Sequence, residues 1–159
     1  MSIAAIDPGL DGAYAVKDNK GTWVFPIDDG SPYDPAQIAL DLKSMEVTRV
    51  LLEEIEIMPG RGSAMASKTS LINYGRLYEA LNGQRIGIVT VKARTWKGNL
   101  KIADSKASPK ERKAKAIALA MELFPNACLY RTPKSKVAHD GMAEALLILE
   151  YGIRSGVLQ

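Results

Sequence analysis

Cysteine is almost absent from this chain of 159 residues, because Cys128 is its only one. A single cysteine cannot form a disulfide within the chain, which is consistent with a reducing compartment. It also excludes a zinc site built from several thiolate ligands. Disulfide scaffolds and thiolate–zinc modules are therefore excluded.

Long hydrophobic runs are absent as well, since none approaches the roughly 20 residues that span a bilayer. The segment Met1–Ile3 has neither a basic leader nor a cleavable apolar stretch, so no secretion signal is expected. Hydrophobic residues make up 47% and charged residues 25%, as in ordinary globular domains. We expect one cytoplasmic domain over residues 1–159, without membrane contact and without a small-molecule cofactor.

The charge is distributed unevenly, although the net charge is only +3. Residues 92–136 carry twelve Lys or Arg and three acids, whereas the rest of the chain carries nine basic and fifteen acidic side chains. Such a basic segment favours a polyanionic partner such as nucleic acid. A solvated lysine-rich surface is the alternative, and charge alone does not separate the two.

Hydrophobic patterning and turn residues predict the order of the secondary structure. Predicted strands cover residues 2–7, 12–17, 22–27, 49–55 and 86–91, with a short sixth one at 127–130. Predicted helices run from Asp34 or Pro35 to 46, and over 67–81, 108–124 and 137–154, with an irregular basic stretch at 92–107. This order predicts an α/β fold with a five-stranded mixed sheet: a three-strand antiparallel meander, then parallel strands, with helices on both faces.

Acidic residues end two of the buried strands. Asp7 follows an apolar strand and precedes Pro8-Gly9, where it caps a turn or, if buried, needs a cation or another partner. Glu53 shares a strand face with Leu51, whereas Glu54 lies on the other face, so Glu53 is the better candidate and Glu54 a substitute. Acids exposed to solvent at a strand end are the alternative.

A third acidic segment lies on the last predicted helix. Asp140 and Glu144 are four residues apart, so they repel each other on one helix face unless a cation lies between them. The alternative is a helix N-terminus whose dipole favours acids, with His139 as its cap or as a proton shuttle. Clustered carboxylates favour one or two Mg²⁺ ions, or Mn²⁺, and two such ions can drive phosphodiester cleavage.

These acidic segments resemble the motifs of a known family. Three segments resemble, in order, the three motifs of the RuvC-type Holliday-junction resolvases, which are nucleases of the ribonuclease H-like superfamily. They are Ile6-Asp7-Pro8-Gly9, the segment 52–60 and the segment 140–148. Glu150-Tyr151-Gly152 is similar to phage-type members, which implies host cytoplasm as the location. Nearly the whole chain is covered. The family pattern has Asp where this chain has Glu144, which puts the metal preference in doubt.

The resemblance implies a homodimeric endonuclease of DNA recombination and repair. It would resolve four-way DNA junctions by Mg²⁺-dependent hydrolysis, nicking two strands symmetrically, with Asp7, Glu53, Asp140 and Glu144 as catalytic metal ligands. It also implies that the helix after the second motif contributes to the dimer interface. The alternatives are a related nuclease acting on flaps, forks or RNA–DNA hybrids, and a junction-binding protein with weak catalysis. Actin-like sugar kinases share an early Asp turn but need two domains, for which the chain is too short.

The candidates for DNA contact come from the loop after the second acidic segment and from the basic segment 92–136. Arg61 lies in the glycine-rich loop 59–63 that follows the second acidic segment, where the backbone can approach phosphate. The other candidates are Lys92, Arg94, Trp96, Lys97, Lys101, Lys110 and Lys113. The lysines and arginines would contact phosphates, and Trp96 would either stack on an unpaired base or lie in the core.

Overall fold

The computed structural model describes residues 1–27, 33–56 and 64–158, with the side chains of 64–67 excepted. The strands are β1 (Ser2–Asp7), β2 (Ala13–Lys17), β3 (Thr22–Pro26), β4 (Val47–Glu53) and β5 (Gly87–Val91). The helices are α1 (Pro35–Ser44), α2 (Ala64–Gly83), α3 (Ala93–Asn99), α4 (Pro109–Leu123) and α5 (Asp140–Arg154).

The five strands form one mixed sheet in the order β3-β2-β1-β4-β5. The first three strands pair antiparallel, and β4 pairs parallel with both β1 and β5. This is the sheet predicted from the sequence. Because parallel strands end at the same edge of a sheet, the carboxyl ends of β1 and β4 lie side by side.

Helices cover both faces of the sheet, as the apolar runs of β1 and β4 predict. Ala4 and Ile6 belong to the core under α1 and α2, whereas Ala5, between them, packs in the core under α3, α4 and α5. Leu51 likewise faces α5, and Leu52 faces the opposite layer. The face of a strand residue therefore decides which helices it meets.

Helix α5 is the central helix of its layer and is buried on most sides. It packs against β1, β2 and α4. Small strand residues such as Ala13 and Ala15 leave room for this close approach. At its first turn, a Cβ added to Gly141 would lie 2.0 Å from the carbonyl oxygen of Asp11, so only glycine fits against that turn.

The predicted starts of α1 and α4 are confirmed at their capping residues. Asp34 accepts hydrogen bonds from Ala36 and Gln37 at the start of α1. At the start of α4, Ser108 and Glu111 form the reciprocal capping box.

Several boundaries differ from the prediction. The segment 92–107, predicted to be irregular, contains α3, a short helix whose Thr95, Gly98 and Asn99 weaken the helix signal. Residues 127–130 are not a strand; the carbonyl of Leu129 instead accepts a hydrogen bond from the backbone N–H of His139. Helix α5 starts at Asp140 rather than 137, because His139 is its N-cap. Helix α2 begins at Ala64 rather than 67 and ends at Gly83 rather than 81.

Among the described residues, none of the helices combines the length and the hydrophobicity that crossing a membrane requires.

Candidate active site

Two acids lie at the carboxyl edge of the sheet, on neighbouring strands. Ile6 of β1 is paired with Leu52 of β4, so the next residue on each strand, Asp7 and Glu53, ends its strand beside the other. Because strand residues alternate between the two faces of a sheet, Asp7 and Glu53 lie on the same face as Ala5 and Leu51, and this face is covered by α5. The sheet thus directs both carboxylates to the N-terminal end of α5.

The first turns of α5 supply the other two acids, Asp140 and Glu144. The charges of Glu144 and Asp140 act on Asp7, and those of Asp7 and Glu144 act on Glu53. We call these four side chains the carboxylate cluster. Three segments that are far apart in the sequence therefore meet at one point in the fold.

Burial changes the acidity of the two strand carboxylates. Burial first, and then repulsion from Glu144, raises the pKa of Asp7 from 3.8 to about 6, against a hydrogen bond from the backbone N–H of Gly9 at 3.2 Å. Burial first, and then repulsion from Asp7, raises the pKa of Glu53 from 4.5 to about 7. Carboxylates crowded in this way are more stable with a cation among them.

Two lysines supply positive charge to the cluster. The Nζ atom of Lys97 lies 2.9 Å from Oε1 of Glu144, and that of Lys113 lies 2.5 Å from Oδ2 of Asp140. Burial alone would raise the pKa of Asp140, but the hydrogen bond from Lys113 lowers it overall. Asp140 and Glu144 carry like charges on one helix face and need positive charge nearby. In this structure each of them has its own ammonium group, from Lys113 and Lys97 respectively.

Trp96 on α3 lies beneath the cluster. Its side chain is fully buried, and its indole N–H donates a hydrogen bond of 2.6 Å to Oε2 of Glu53. The Nζ atom of Lys97 lies 4.9 Å from the centroid of the same ring. The structure therefore places Trp96 in the core, which is the second of its two predicted alternatives, and the buried ring has no exposed face on which a base could stack.

The cluster has the ligand chemistry that a hard divalent cation prefers, namely carboxylate oxygens without thiolates. Within the described residues, however, no three His, Cys, Asp or Glu side chains converge closely enough to hold an ion as they are placed. The lysine ion pairs account for this, because Glu144 and Asp140 are each turned to an ammonium group. The donor set is thus of the kind that Mg²⁺ prefers, whereas in this structure Lys97 and Lys113 balance the charges of Glu144 and Asp140.

Glu54 lies apart from the cluster. Its carboxylate accepts a hydrogen bond of 2.9 Å from the hydroxyl of Thr90 on β5. Its charge acts on Tyr74 of α2, in the layer opposite α5. The sequence left the choice between Glu53 and Glu54 open. The positions of the two side chains favour Glu53 as the member of the cluster.

His139 acts as a cap in this structure, one of its two predicted roles. Its Nδ1 atom accepts a hydrogen bond of 3.3 Å from the backbone N–H of Met142. This bond satisfies one of the free N–H groups at the start of α5.

The remaining basic candidates occupy different surroundings. Lys92, Arg94, Lys101 and Lys110 are exposed, so their charges are available to a polyanion. Arg61 lies outside the described residues. Lys97 and Lys113 face the carboxylate cluster, so their contact with DNA stays a prediction that competes with the ion pairs.

Sequence reasoning missed the direct contact of Trp96 with Glu53. A signal for it was present, because a buried tryptophan needs an acceptor for its N–H. The pairing of Glu53 with Val91 also brings the segment that follows β5 close to the end of β4. The pairing of the two lysines with individual acids carried no sequence signal of its own.

Comparisons with known proteins give matches at the level of structure only. No family model matches the chain, and no curated protein does. The Thermus thermophilus RuvC in complex with a Holliday junction substrate matches with a TM-score of 0.58 at 16% identity, covering 100% of this chain and 98% of that one. The fowlpox virus resolvase in complex with Holliday junction DNA matches with a TM-score of 0.56 at 17% identity, and both chains are covered completely.

The yeast mitochondrial Holliday junction resolvase matches with a TM-score of 0.51 at 13% identity, covering 96% of this chain and 77% of that one. The three similar structures come from a bacterium, a virus and yeast mitochondria. The sequence resemblance is therefore confirmed at the level of the fold: this chain has the ribonuclease H-like fold of the RuvC-type Holliday junction resolvases.

Proposed function

We propose that the protein is a metal-dependent endonuclease that cleaves branched DNA, with four-way junctions as its substrate. The observation that carries this proposal is the carboxylate cluster, in which Asp7, Glu53, Asp140 and Glu144 meet at the carboxyl edge of the sheet. Structurally related proteins are resolvases, two of them in complex with junction DNA. A crowded acidic site within this fold is the expected chemistry of a phosphodiester hydrolase.

The four carboxylates would hold one or two Mg²⁺ ions, or Mn²⁺. Bound there, the metal would supply an activated water and stabilise the leaving oxygen. The protein's own part is to keep oxygen ligands together at the sheet edge, where Trp96 donates its indole N–H to Glu53 and the first turn of α5 presents Asp140. Lys97 and Lys113 balance the charge of the acids, and each lies close enough to the cluster to contact a phosphate placed there.

DNA affinity is proposed to come from the exposed basic residues around α3 and α4, namely Lys92, Arg94, Lys101 and Lys110. Contacts of this kind bind the backbone whatever its sequence and weaken steeply with salt. Arg61 belongs to this proposal by its place in the sequence alone.

A homodimer is part of the proposal because two symmetric nicks need two active sites. Helix α2 offers an apolar face for it: Leu71, Ile72 and Tyr78 are 48%, 50% and 37% exposed, which is high for side chains of this kind. Gly75, between them, has open space where a Cβ would be, so a second helix can approach closely. Ile72→Glu should therefore dissociate the dimer in analytical ultracentrifugation. Leu40→Glu, on the exposed side of α1, is the matched control.

The test of the function is cleavage of a labelled four-way junction with and without Mg²⁺. Asp7→Asn should abolish cutting while junction binding is retained, and retained cutting by this variant would contradict the proposal. Comparing the junction with a Y-fork, a flap and an RNA–DNA hybrid then measures selectivity. Equal cutting of all these substrates would indicate a general ribonuclease H-like nuclease instead.

A junction-binding protein with weak catalysis is the second candidate. The observation in its favour is that Glu144 and Asp140 are neutralised by Lys97 and Lys113 rather than left free for an ion. It predicts tight junction binding with no metal-dependent cutting at any Mg²⁺ or Mn²⁺ concentration, which the same assay measures.

A further inference from the structure

Helix α3 brings two consecutive side chains to the carboxylate cluster. Trp96 points into the core and donates its indole N–H to Oε2 of Glu53 at 2.6 Å. Lys97, the next residue, is partly exposed and pairs with Glu144 at 2.9 Å. The two acids are thus each held by α3, one from below and one from the solvent side.

The hydrogen bond from Trp96 is positioned by the packing of the core. The ring is fully buried among core residues that include Leu100 and Ile102, so the N–H direction is fixed by packing. A buried indole N–H needs an acceptor, and Glu53 provides it. Glu53 is the less constrained partner, because it ends a strand and its side chain rotates about three bonds.

The bond leaves one oxygen of Glu53 available. Oε2 is engaged by Trp96, and among the described residues no hydrogen bond is made to Oε1. A carboxylate fixed through one oxygen presents the other in a defined direction. The partner of a metal ligand commonly acts in this way, and its removal costs roughly 10- to 100-fold in metal affinity.

We propose that Trp96 is a positioning residue for the metal centre: its indole N–H holds Glu53 so that the second carboxylate oxygen is presented to a divalent cation. This inference rests on the proposed function, since it requires that the cluster bind a cation. In this role Trp96 would contact neither the metal ion nor the DNA and would act only through Glu53.

Removal of the donor tests the proposal directly. Trp96→Phe keeps an aromatic ring in the core and removes the N–H, and the affinity for Mn²⁺ alone is measured by isothermal titration calorimetry without DNA. We expect binding weaker by about 10-fold. Trp23→Phe, the same substitution at a half-exposed tryptophan on β3, is the matched control and should not change it. Unchanged Mn²⁺ affinity in folded Trp96→Phe would overturn the proposal.

A double-mutant cycle separates positioning from general packing. If Trp96 acts through Glu53, Trp96→Phe should cause no further loss of Mn²⁺ affinity in a Glu53→Gln background. A merely structural role of the ring would give the same loss in both backgrounds, and that result would also overturn the proposal.

A measurement on the native tryptophan covers the case in which Trp96→Phe does not fold. The chain has only two tryptophans, so an ¹⁵N-labelled sample gives two indole N–H signals in an NMR spectrum. The Trp96 signal should shift on addition of Mg²⁺ and after Glu53→Ala, whereas the Trp23 signal should not. If neither change moves the Trp96 signal, the proposal is wrong.

The experiments distinguish this proposal from that of the function. Weaker Mn²⁺ binding in Trp96→Phe, together with a wild type that binds Mn²⁺ but cuts no junction, would support the positioning role and refute the nuclease. A wild type that binds metal and cuts junctions, with Trp96→Phe equal to it in metal affinity, would refute the positioning role alone. Absence of any metal binding by the wild type would refute both.

Discussion

Replacing Asp7 by asparagine should stabilise the metal-free protein at neutral pH, although it removes a proposed metal ligand. Burial and the neighbouring acids raise the pKa of Asp7 from 3.8 to about 6, so the fold disfavours its charged form. A shift of about two pH units corresponds to roughly 3 kcal/mol of unfolding free energy. Asparagine keeps the shape and loses the charge, but its amide must still be buried, so we expect a net gain of about 1–2 kcal/mol. In a chain of this size, that gain raises Tm by roughly 3–6 °C.

The pH dependence of this gain follows from the direction of the shift. A carboxyl group whose pKa is raised by folding stabilises the fold fully below its unfolded pKa of 3.8, and this stability is lost as pH rises through about 6. The pKa of Glu53 is raised to about 7, so this residue also destabilises the fold as pH rises, over a slightly higher pH range. The wild type should therefore lose stability between about pH 4 and 7, and Asp7→Asn should lose less.

The assay is urea unfolding with EDTA present, followed by circular dichroism at several pH values from 4 to 8. Asp18→Asn is the matched control, because Asp18 also accepts backbone N–H bonds in a turn but lies at the other end of β2. Its stability should follow that of the wild type. The reasoning fails if Asp7→Asn is no more stable than the wild type at pH 7.5, or if its advantage is as large at pH 4. Added Mg²⁺ should narrow the gap, because only the wild type gains binding energy from it.

Three further substitutions test other parts of the structure. Ser108→Ala should lower the free energy of unfolding by about 1 kcal/mol, measured by urea denaturation, because α4 loses its capping bond. Gly141→Ala should lower it by roughly 1–3 kcal/mol or more and lower Tm in a thermal melt, since the added Cβ would lie 2.0 Å from the carbonyl oxygen of Asp11. Lys97→Met should raise the pKa of Asp7 further, because the lysine's charge lowers it now, and a carboxyl ¹³C NMR titration would measure this. An unchanged or lower pKa of Asp7 would contradict the charge assignment.

The sequence predicted the five strands of the sheet and the starts of α1 and α4 because those signals are local. The apolar run of β1 and the capping residues Asp34 and Ser108 act over a few neighbouring positions, and their effect is visible in the chain itself. The two-sided burial of the sheet also followed from uninterrupted apolar runs such as 50–52. Helix α3 was missed because Thr95, Gly98 and Asn99 are weak helix formers, and the burial of Trp96 in the core overrides their preference.

The sequence could predict which acids come together in the candidate site, but not which lysine pairs with which acid. That Asp7 and Glu53 end neighbouring strands follows from parallel pairing, which the order of elements suggested. Which cation would face which acid depends on how α3 and α4 pack against α5, over distances in the chain that no local pattern reports. Lys97 and Lys113 were therefore identified as candidates for DNA contact, yet their carboxylate partners were not.

The raised pKa values argue that the acids belong to a site rather than to the scaffold. A turn after β1 needs only an acceptor for the N–H of Gly9, and asparagine would provide it without burying a charge. Glu53 likewise needs only an oxygen to accept the Trp96 N–H, which glutamine has. Carboxylates at both positions make the metal-free fold less stable than it needs to be, and each lies within the field of the other. Such a conflict between local stability and residue choice is expected where the charge itself is used, because a bound cation turns the repulsion into attraction.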